Sequence, residues 1–262
     1  MFTKKTVPKR SCLQQKLSSI GSGSYSTVYK IEDNDNLVLK QYGEDSWMDF
    51  KTEMHVLYQL RDTSIIDCFD YGLCPDEKYA WSVLPKLYRN LQEKPPCQNN
   101  LRSVALQLLV QIKILHNLDI IHQDIKPSNI MWIDSKMTSI QLIDFGSSRN
   151  MFYYTKKGVR RKKQKRNDVF CSTTHFVASD NALRSNEQSY GDNIETMCWC
   201  IHFFIHSTKY LPSRCHESCA EMLIYRRLPK NTILRTLIEY ARKLQYGEKP
   251  EYDYCRRLLE QI

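Results

Sequence analysis

The sequence predicts an α+β fold in two lobes, and three observations carry that expectation. Short apolar runs of strand character crowd the first third of the chain, amphipathic helical stripes fill the remainder, and no internal repeat is visible. At 262 residues the chain suits a single domain, divided into a small β-rich lobe over about residues 15–87 and a larger helical lobe over 88–262.

In the first third, Ile20-Gly21-Ser22-Gly23-Ser24-Tyr25-Ser26-Thr27-Val28-Tyr29 sets glycines between apolar residues in the manner of a β-hairpin. Leu37-Val38-Leu39-Lys40 reads as a short buried strand that ends in a lysine. From Trp47 to Leu60, Phe50, Met54, Leu57 and Leu60 recur at helical spacing, with Glu53 among them. Tyr79 to Leu84 reads as a strand, and Pro85 is expected to interrupt it. After Leu87 the character changes. Val104, Leu108, Ile112 and Leu115 form one stripe of a helix over Leu101–Leu118. Two short strands follow, Ile130–Ile133 and Ile140–Ile143. The spacing then predicts helices over Ile194–His206, Cys219–Arg227, Thr232–Leu244 and Tyr252–Ile262.

Composition excludes several classes. No apolar run reaches membrane-spanning length, and the stretch from Met197 to Ile205 is short and broken by His202. The basic start Met1-Phe2-Thr3-Lys4-Lys5 lacks the apolar core of a secretory signal. A cytoplasmic or nuclear protein is therefore expected. The ten cysteines include no pair of Cys-x-x-Cys knuckles, so reduced, mostly buried thiols are expected rather than zinc or disulfides. The net charge of +9 is concentrated: eight of the eleven residues from Lys156 to Arg166 are Lys or Arg. Such a run favours an acidic partner, whether phosphoprotein, nucleic acid or nuclear-import receptor, or is simply a solvated loop.

The residues that carry chemistry stand in His122-Gln123-Asp124-Ile125-Lys126-Pro127-Ser128-Asn129, with Asp144-Phe145-Gly146 beginning fifteen residues beyond Asn129. Phosphoryl transfer needs this set in this order. One carboxylate orients a hydroxyl and takes its proton, a cation neutralises the moving group, and an amide and a second carboxylate hold Mg2+ through hard oxygen ligands.

His-x-Asp-x-Lys-Pro-x-Asn followed by Asp-Phe-Gly resembles the protein kinase family, and the pairing is highly specific. The resemblance implies the bilobal protein-kinase fold and ATP and Mg2+ as cofactors. It implies Asp124 as catalytic base, Lys126 on the γ-phosphate, and Asn129 and Asp144 as metal ligands. The Asp-x-Lys order is the serine/threonine form. Gly21 and Gly23 match two glycines of the loop that covers the phosphates, with Ile20 at its start. Lys40 matches the strand lysine on the α- and β-phosphates, and Glu53 its helix partner. Val28 and Val38 would roof the adenine and Met131 would floor it. Leu84 would be the gatekeeper, and Pro85-Lys86-Leu87 the hinge, where the Pro85 carbonyl accepts and the Leu87 N–H donates.

The C-terminal part has no Ala-Pro-Glu. Ser172–Asn181, Asn186–Met197 and above all Glu248–Leu259 resemble the casein kinase 1 and vaccinia-related kinase group. Thr173 would stabilise the substrate-side loop near Asp124 and Lys126. Three departures mark a divergent member, of viral or parasite type: Ser26 replaces a third glycine, Gln123 an arginine and Asn193 an aspartate. Loss of that arginine argues against activation-loop phosphorylation as the switch. The expected function is an ATP-dependent serine/threonine protein kinase, a monomer, with the Lys156–Arg166 run drawing acidic or phosphorylated substrates. Two rivals are a pseudokinase scaffold, against which the intact Lys40, Asp124, Asn129 and Asp144 speak, and a nucleic-acid module, which lacks interleaved aromatics.

Overall fold

The computed structural model describes residues 18–23, 26–32, 34–74, 78–154, 160–162, 177–206 and 232–262. The chain divides into two compact units, Met1–Leu87 and Tyr88–Ile262.

In the first unit the strand-like runs build one antiparallel sheet in the order β1-β2-β3-β5-β4. Its strands are β1 (Ser19–Ser22), β2 (Ser26–Ile31), β3 (Asn34–Tyr42), β4 (Asp70–Cys74) and β5 (Tyr79–Pro85). Helix α1 (Trp47–Leu60) buries Phe50, Val56, Leu57 and Leu60, and the Phe50 ring meets Tyr42 edge-on at 5.2 Å. Strand β3 is longer than its apolar run because its polar start, Asn34–Asn36, extends the ladder. Pro85 does not cut β5 short. It is the last residue of the strand, opposite Leu37, where a missing N–H is tolerated. Strand β4 carries no clear apolar alternation. Gly72 at its centre lets the Trp81 ring lie where a Cβ would come within 2.6 Å of it.

The second unit is built around α2 (Gln98–Asn117), whose buried stripe runs Leu101, Val104, Ala105, Leu108, Leu109, Ile112 and Leu115. Beside it lie the paired strands β7 (Ile130–Trp132) and β8 (Ile140–Leu142). Two glutamines one turn apart on α2 satisfy the open edge of β8. Gln107 accepts from the Ile140 N–H, and Gln111 accepts from the Leu142 N–H and donates to the Ile140 carbonyl. Strand β6 (Ile120–Ile121) pairs with β9 (Arg149–Asn150), and β10 (Phe152–Tyr154) pairs with β11 (Arg160–Lys162).

Among the described residues four helices follow: α3 (Asp180–Leu183), α4 (Tyr190–His206), α5 (Thr232–Lys243) and α6 (Tyr252–Leu259). Helix α4 starts four residues before the apolar periodicity because its first turn is buried yet polar, Asp192 and Asn193 included. The helix expected over Cys219–Arg227 lies outside the described residues. Among the described residues the cysteines are free thiols, with Cys74, Cys198, Cys200 and Cys255 buried. Among them too, no helix is long and apolar enough to cross a membrane.

Helices α4 and α5 approach so closely that a Cβ on Gly191 would sit 2.5 Å from the Ala241 carbonyl oxygen. Backbone cannot yield there as a side-chain tip can. Gly191→Ala is therefore expected to lower stability by about 1–3 kcal/mol through overpacking, read as a fall in the urea midpoint with an unchanged m-value.

Candidate active site

In the first unit, strand alternation gathers the sequence-predicted residues on one sheet face. Val28 stands opposite Lys40, and Val38 opposite Leu84. Lys40 and Glu53 are both buried, and Lys40 Nζ donates to Glu53 Oε2 at 2.7 Å. Breaking such a pair from one side costs about 3–5 kcal/mol, because the other charge is left dry.

A residue that spacing did not single out holds the pair. Tyr42, two positions along β3 from Lys40, donates its hydroxyl to the same Glu53 oxygen at 2.8 Å. Its oxygen also lies 3.1 Å from Ser82 Oγ. The phenol has only one proton, so Ser82 donates to Tyr42. Burial pushes the Tyr42 phenol well above its ordinary pKa, and the Glu53 charge adds to that.

The glycine segment leaves room for a ligand. Gly21 lies opposite Val28, and Gly23 N–H donates to the Ser26 carbonyl at 2.8 Å. A Cβ at Gly21 would meet nothing within 4 Å, and one at Gly23 only the Ser26 oxygen at 4.0 Å. Packing among the described residues therefore does not require glycine at either place, whereas close approach of a phosphate to backbone would. Ile20 beside them is half exposed. At the end of β5 the Lys86 N–H goes to the Asn36 carbonyl. Among the described residues the Leu87 N–H takes no backbone partner, which suits the donor role expected of it.

In the second unit, the loop after β6 converges on Asp124. Lys126 Nζ donates to Asp124 Oδ2 at 2.8 Å. Asn129 Nδ2 donates to the same oxygen at 3.0 Å and to the Asp124 carbonyl at 2.9 Å. Both amide protons of Asn129 are thus spent on Asp124, which leaves its Oδ1, a hard oxygen, for a cation. The other Asp124 oxygen, Oδ1, is buried and has no hydrogen-bond partner among the described residues.

His122 fixes the loop. Its Nδ1 accepts the Asp124 N–H at 3.3 Å, so its Nε2 carries the proton and donates to the Ile143 carbonyl at 3.1 Å. Burial holds this imidazole neutral, with its pKa lowered to about 4. Its ring lies 5.0 Å from the fully buried Phe145. Asp144 is half-buried and adopts a left-handed backbone, φ 67°, as does Gln123 at 64°. Two such residues, in a conformation that is uncommon outside glycine, lie at the two segments that bear the polar cluster. Asn129 and Asp144 offer the kind of hard oxygen that Mg2+ takes from a protein when waters and phosphate oxygens fill the rest. Among the described residues no three acidic, histidine or cysteine side chains form a fuller metal cage. Met131 is half-buried in β7, with its neighbours Ile130 and Trp132 turned into the core.

Beyond the loop, Arg149 pairs with the buried Glu187, and Glu195 accepts from Arg242 at 2.7 Å and from Trp199. Thr173 and most of the basic run lie outside the described residues. The backbone of Arg160–Lys162 forms β11.

The family model of the protein kinase domain matches residues 14–251, and the chain belongs to that family. It is a protein kinase, a transferase of a family that works with ATP and Mg2+ on protein substrates.

Burial lifts the Asp124 carboxyl from its ordinary 3.8 to about 6, against the opposing pull of Lys126. Folded Asp124 therefore binds a proton that unfolded Asp124 has lost between those two values, and its contribution to stability falls as pH rises through that window. Asp124→Asn removes this penalty. The variant should be more stable than wild type at pH 7.5, by on the order of 2 kcal/mol, with the gap closing toward pH 4.5 in thermal unfolding.

Proposed function

We propose that this kinase phosphorylates serine and threonine hydroxyls, with Asp124 as its base, and that it belongs to the casein kinase 1 and vaccinia-related kinase group. The observation that carries the reading is the division of labour at Asp124. One carboxylate oxygen is tied to Lys126 and Asn129, and the other is buried with no partner among the described residues. An alcohol's proton is the partner that such an oxygen suits, and Lys126 beside it favours the serine/threonine form.

When bound, the Mg2+–ATP complex supplies the γ-phosphoryl group and most of the neutralising charge. The chain's own groups do the rest. Asp124 Oδ1 accepts the proton of the attacking hydroxyl. Lys126 steadies the other oxygen and presents its cation beside it. Asn129 Oδ1 and the Asp144 carboxylate would hold the metal. Lys40, held in place by Glu53, would take the α- and β-phosphates under the glycine segment. Val28 and Val38 would roof the adenine.

The test is transfer of label from γ-labelled ATP to a serine-containing protein. Wild type should transfer, and log kcat/KM should fall with unit slope as pH drops below about 6, where Asp124 takes up a proton. Asp124→Asn should lose about 10²–10⁴-fold in kcat. Equal turnover in the variant would remove Asp124 from the role.

The Lys156–Arg166 run supports an acidic or phosphorylated substrate, since it begins six residues after β9 and its middle forms β11. Replacing Lys156, Lys157, Lys163 and Lys165 by Glu should cut kcat/KM on an acidic peptide about tenfold at low salt and leave a neutral peptide unaffected. An unchanged ratio between the two peptides would sink the substrate assignment.

A further inference from the structure

Asn193, in the first turn of α4, is almost fully buried, and its Oδ1 lies 3.0 Å from the His122 backbone nitrogen. A backbone N–H can only donate, so the atom facing it must be the amide oxygen and not the NH2. The same oxygen lies 3.2 Å from His116 Nε2, in the last turn of α2. That nitrogen must then carry a proton. Burial keeps the fully enclosed His116 imidazole neutral, with its pKa lowered to about 3. A neutral ring has one N–H, so His116 Nδ1 is bare. Its neighbour, 2.7 Å away, is the hydroxyl of Tyr252, the first residue of α6, which therefore donates. Every proton along Tyr252, His116, Asn193 and His122 has one allowed place.

We propose that His116 and Tyr252 are positioning residues for catalysis, which lock the Asn193 amide with its oxygen toward the catalytic loop. An amide, unlike a carboxylate, has a wrong way round. Turned over, its NH2 would face two donors at once, the His122 N–H and the His116 Nε2–H. Tyr252 works against this by donating to Nδ1, the arrangement that leaves the ring proton on Nε2. The consequence runs on through His122, whose ring takes the Asp124 N–H and holds the Ile143 carbonyl next to Asp144. A helix at the far end of the chain thereby sets the orientation of the loop that carries the base. The kinetic part of the proposal rests on Asp124 as that base, whereas the proton placement does not.

Two measurements test it. Long-range 1H–15N correlation on histidine-labelled wild type, with His116 assigned by its substitution, should show a neutral ring protonated at Nε2. A proton on Nδ1, or a charged ring, would overturn the proposal whether or not the protein turns over. Second, Tyr252→Phe should lower kcat about tenfold with little change in KM for ATP, and should speed hydrogen exchange at the His122 amide. In an Asn193→Asp background, where either oxygen can accept, the same Tyr252→Phe change should alter kcat by less than about twofold. Equal losses in both backgrounds would mean that Tyr252 merely stabilises α6, and would refute the lock. If Asn193→Asp does not fold, the His122 exchange rate in Tyr252→Phe decides: a rate equal to that of wild type refutes it.

Discussion

A carboxylate that is buried, ionised at neutral pH and saturated on only one of its oxygens is an expensive thing for a fold to hold, and the second unit is organised around Asp124 in that condition. Lys126 and Asn129 reduce the cost without removing it, because both act through Oδ2. The cost is kept at the one atom where the proposed chemistry needs an acceptor. His122 then fixes the Asp124 backbone from one side and the Ile143 carbonyl from the other, so the two segments that bear Asp124 and Asp144 share a single buried ring.

The first unit solves a related problem in reverse. Glu53 is buried and has its charge answered by Lys40 and Tyr42 through one oxygen. Sheet alternation puts those two residues on the same face, and α1 brings the carboxylate to them. The result is a lysine with a fixed position, which suits a phosphate ligand. Both sites rely on one tactic: a buried carboxylate is held by a cation together with a neutral donor, and the geometry of that donor is set by strand or loop rather than by side-chain flexibility.

Much of this was legible in the sequence where the signal is local. The loop from His122 to Asn129 packs the proposed base, a cation and an amide into eight residues, so their order alone pointed to phosphoryl transfer. Helix α1 was legible because Phe50, Leu57 and Leu60 keep helical spacing. Other features depend on contacts that no spacing encodes. Tyr42 reads as one more apolar strand residue until α1 presents Glu53 to it. The first turn of α4 reads as a loop because its buried residues are polar, and they are buried only because His116, His122 and the segment before α4 supply partners. Strand β4 was missed because Gly72 breaks the alternation for the sake of the Trp81 ring. Asn193 stood out as a departure from the family pattern, yet the device that orients it needed His116 and Tyr252, which come from two other helices.

The proposal assigns Lys40 to the α- and β-phosphates of ATP and sets Lys126 beside the γ-phosphate. An ATP analogue carrying an acyl group on its γ-phosphate tests this directly. A lysine amine beside the phosphates attacks the acyl carbonyl, forming an amide and releasing ATP, and mass spectrometry locates the modified residue. The account predicts acylation at Lys40 and Lys126, both suppressed by excess ATP with Mg2+, with protection weakened in Asp144→Asn. Labelling spread over exposed lysines, indifferent to ATP and absent from Lys40, would contradict it.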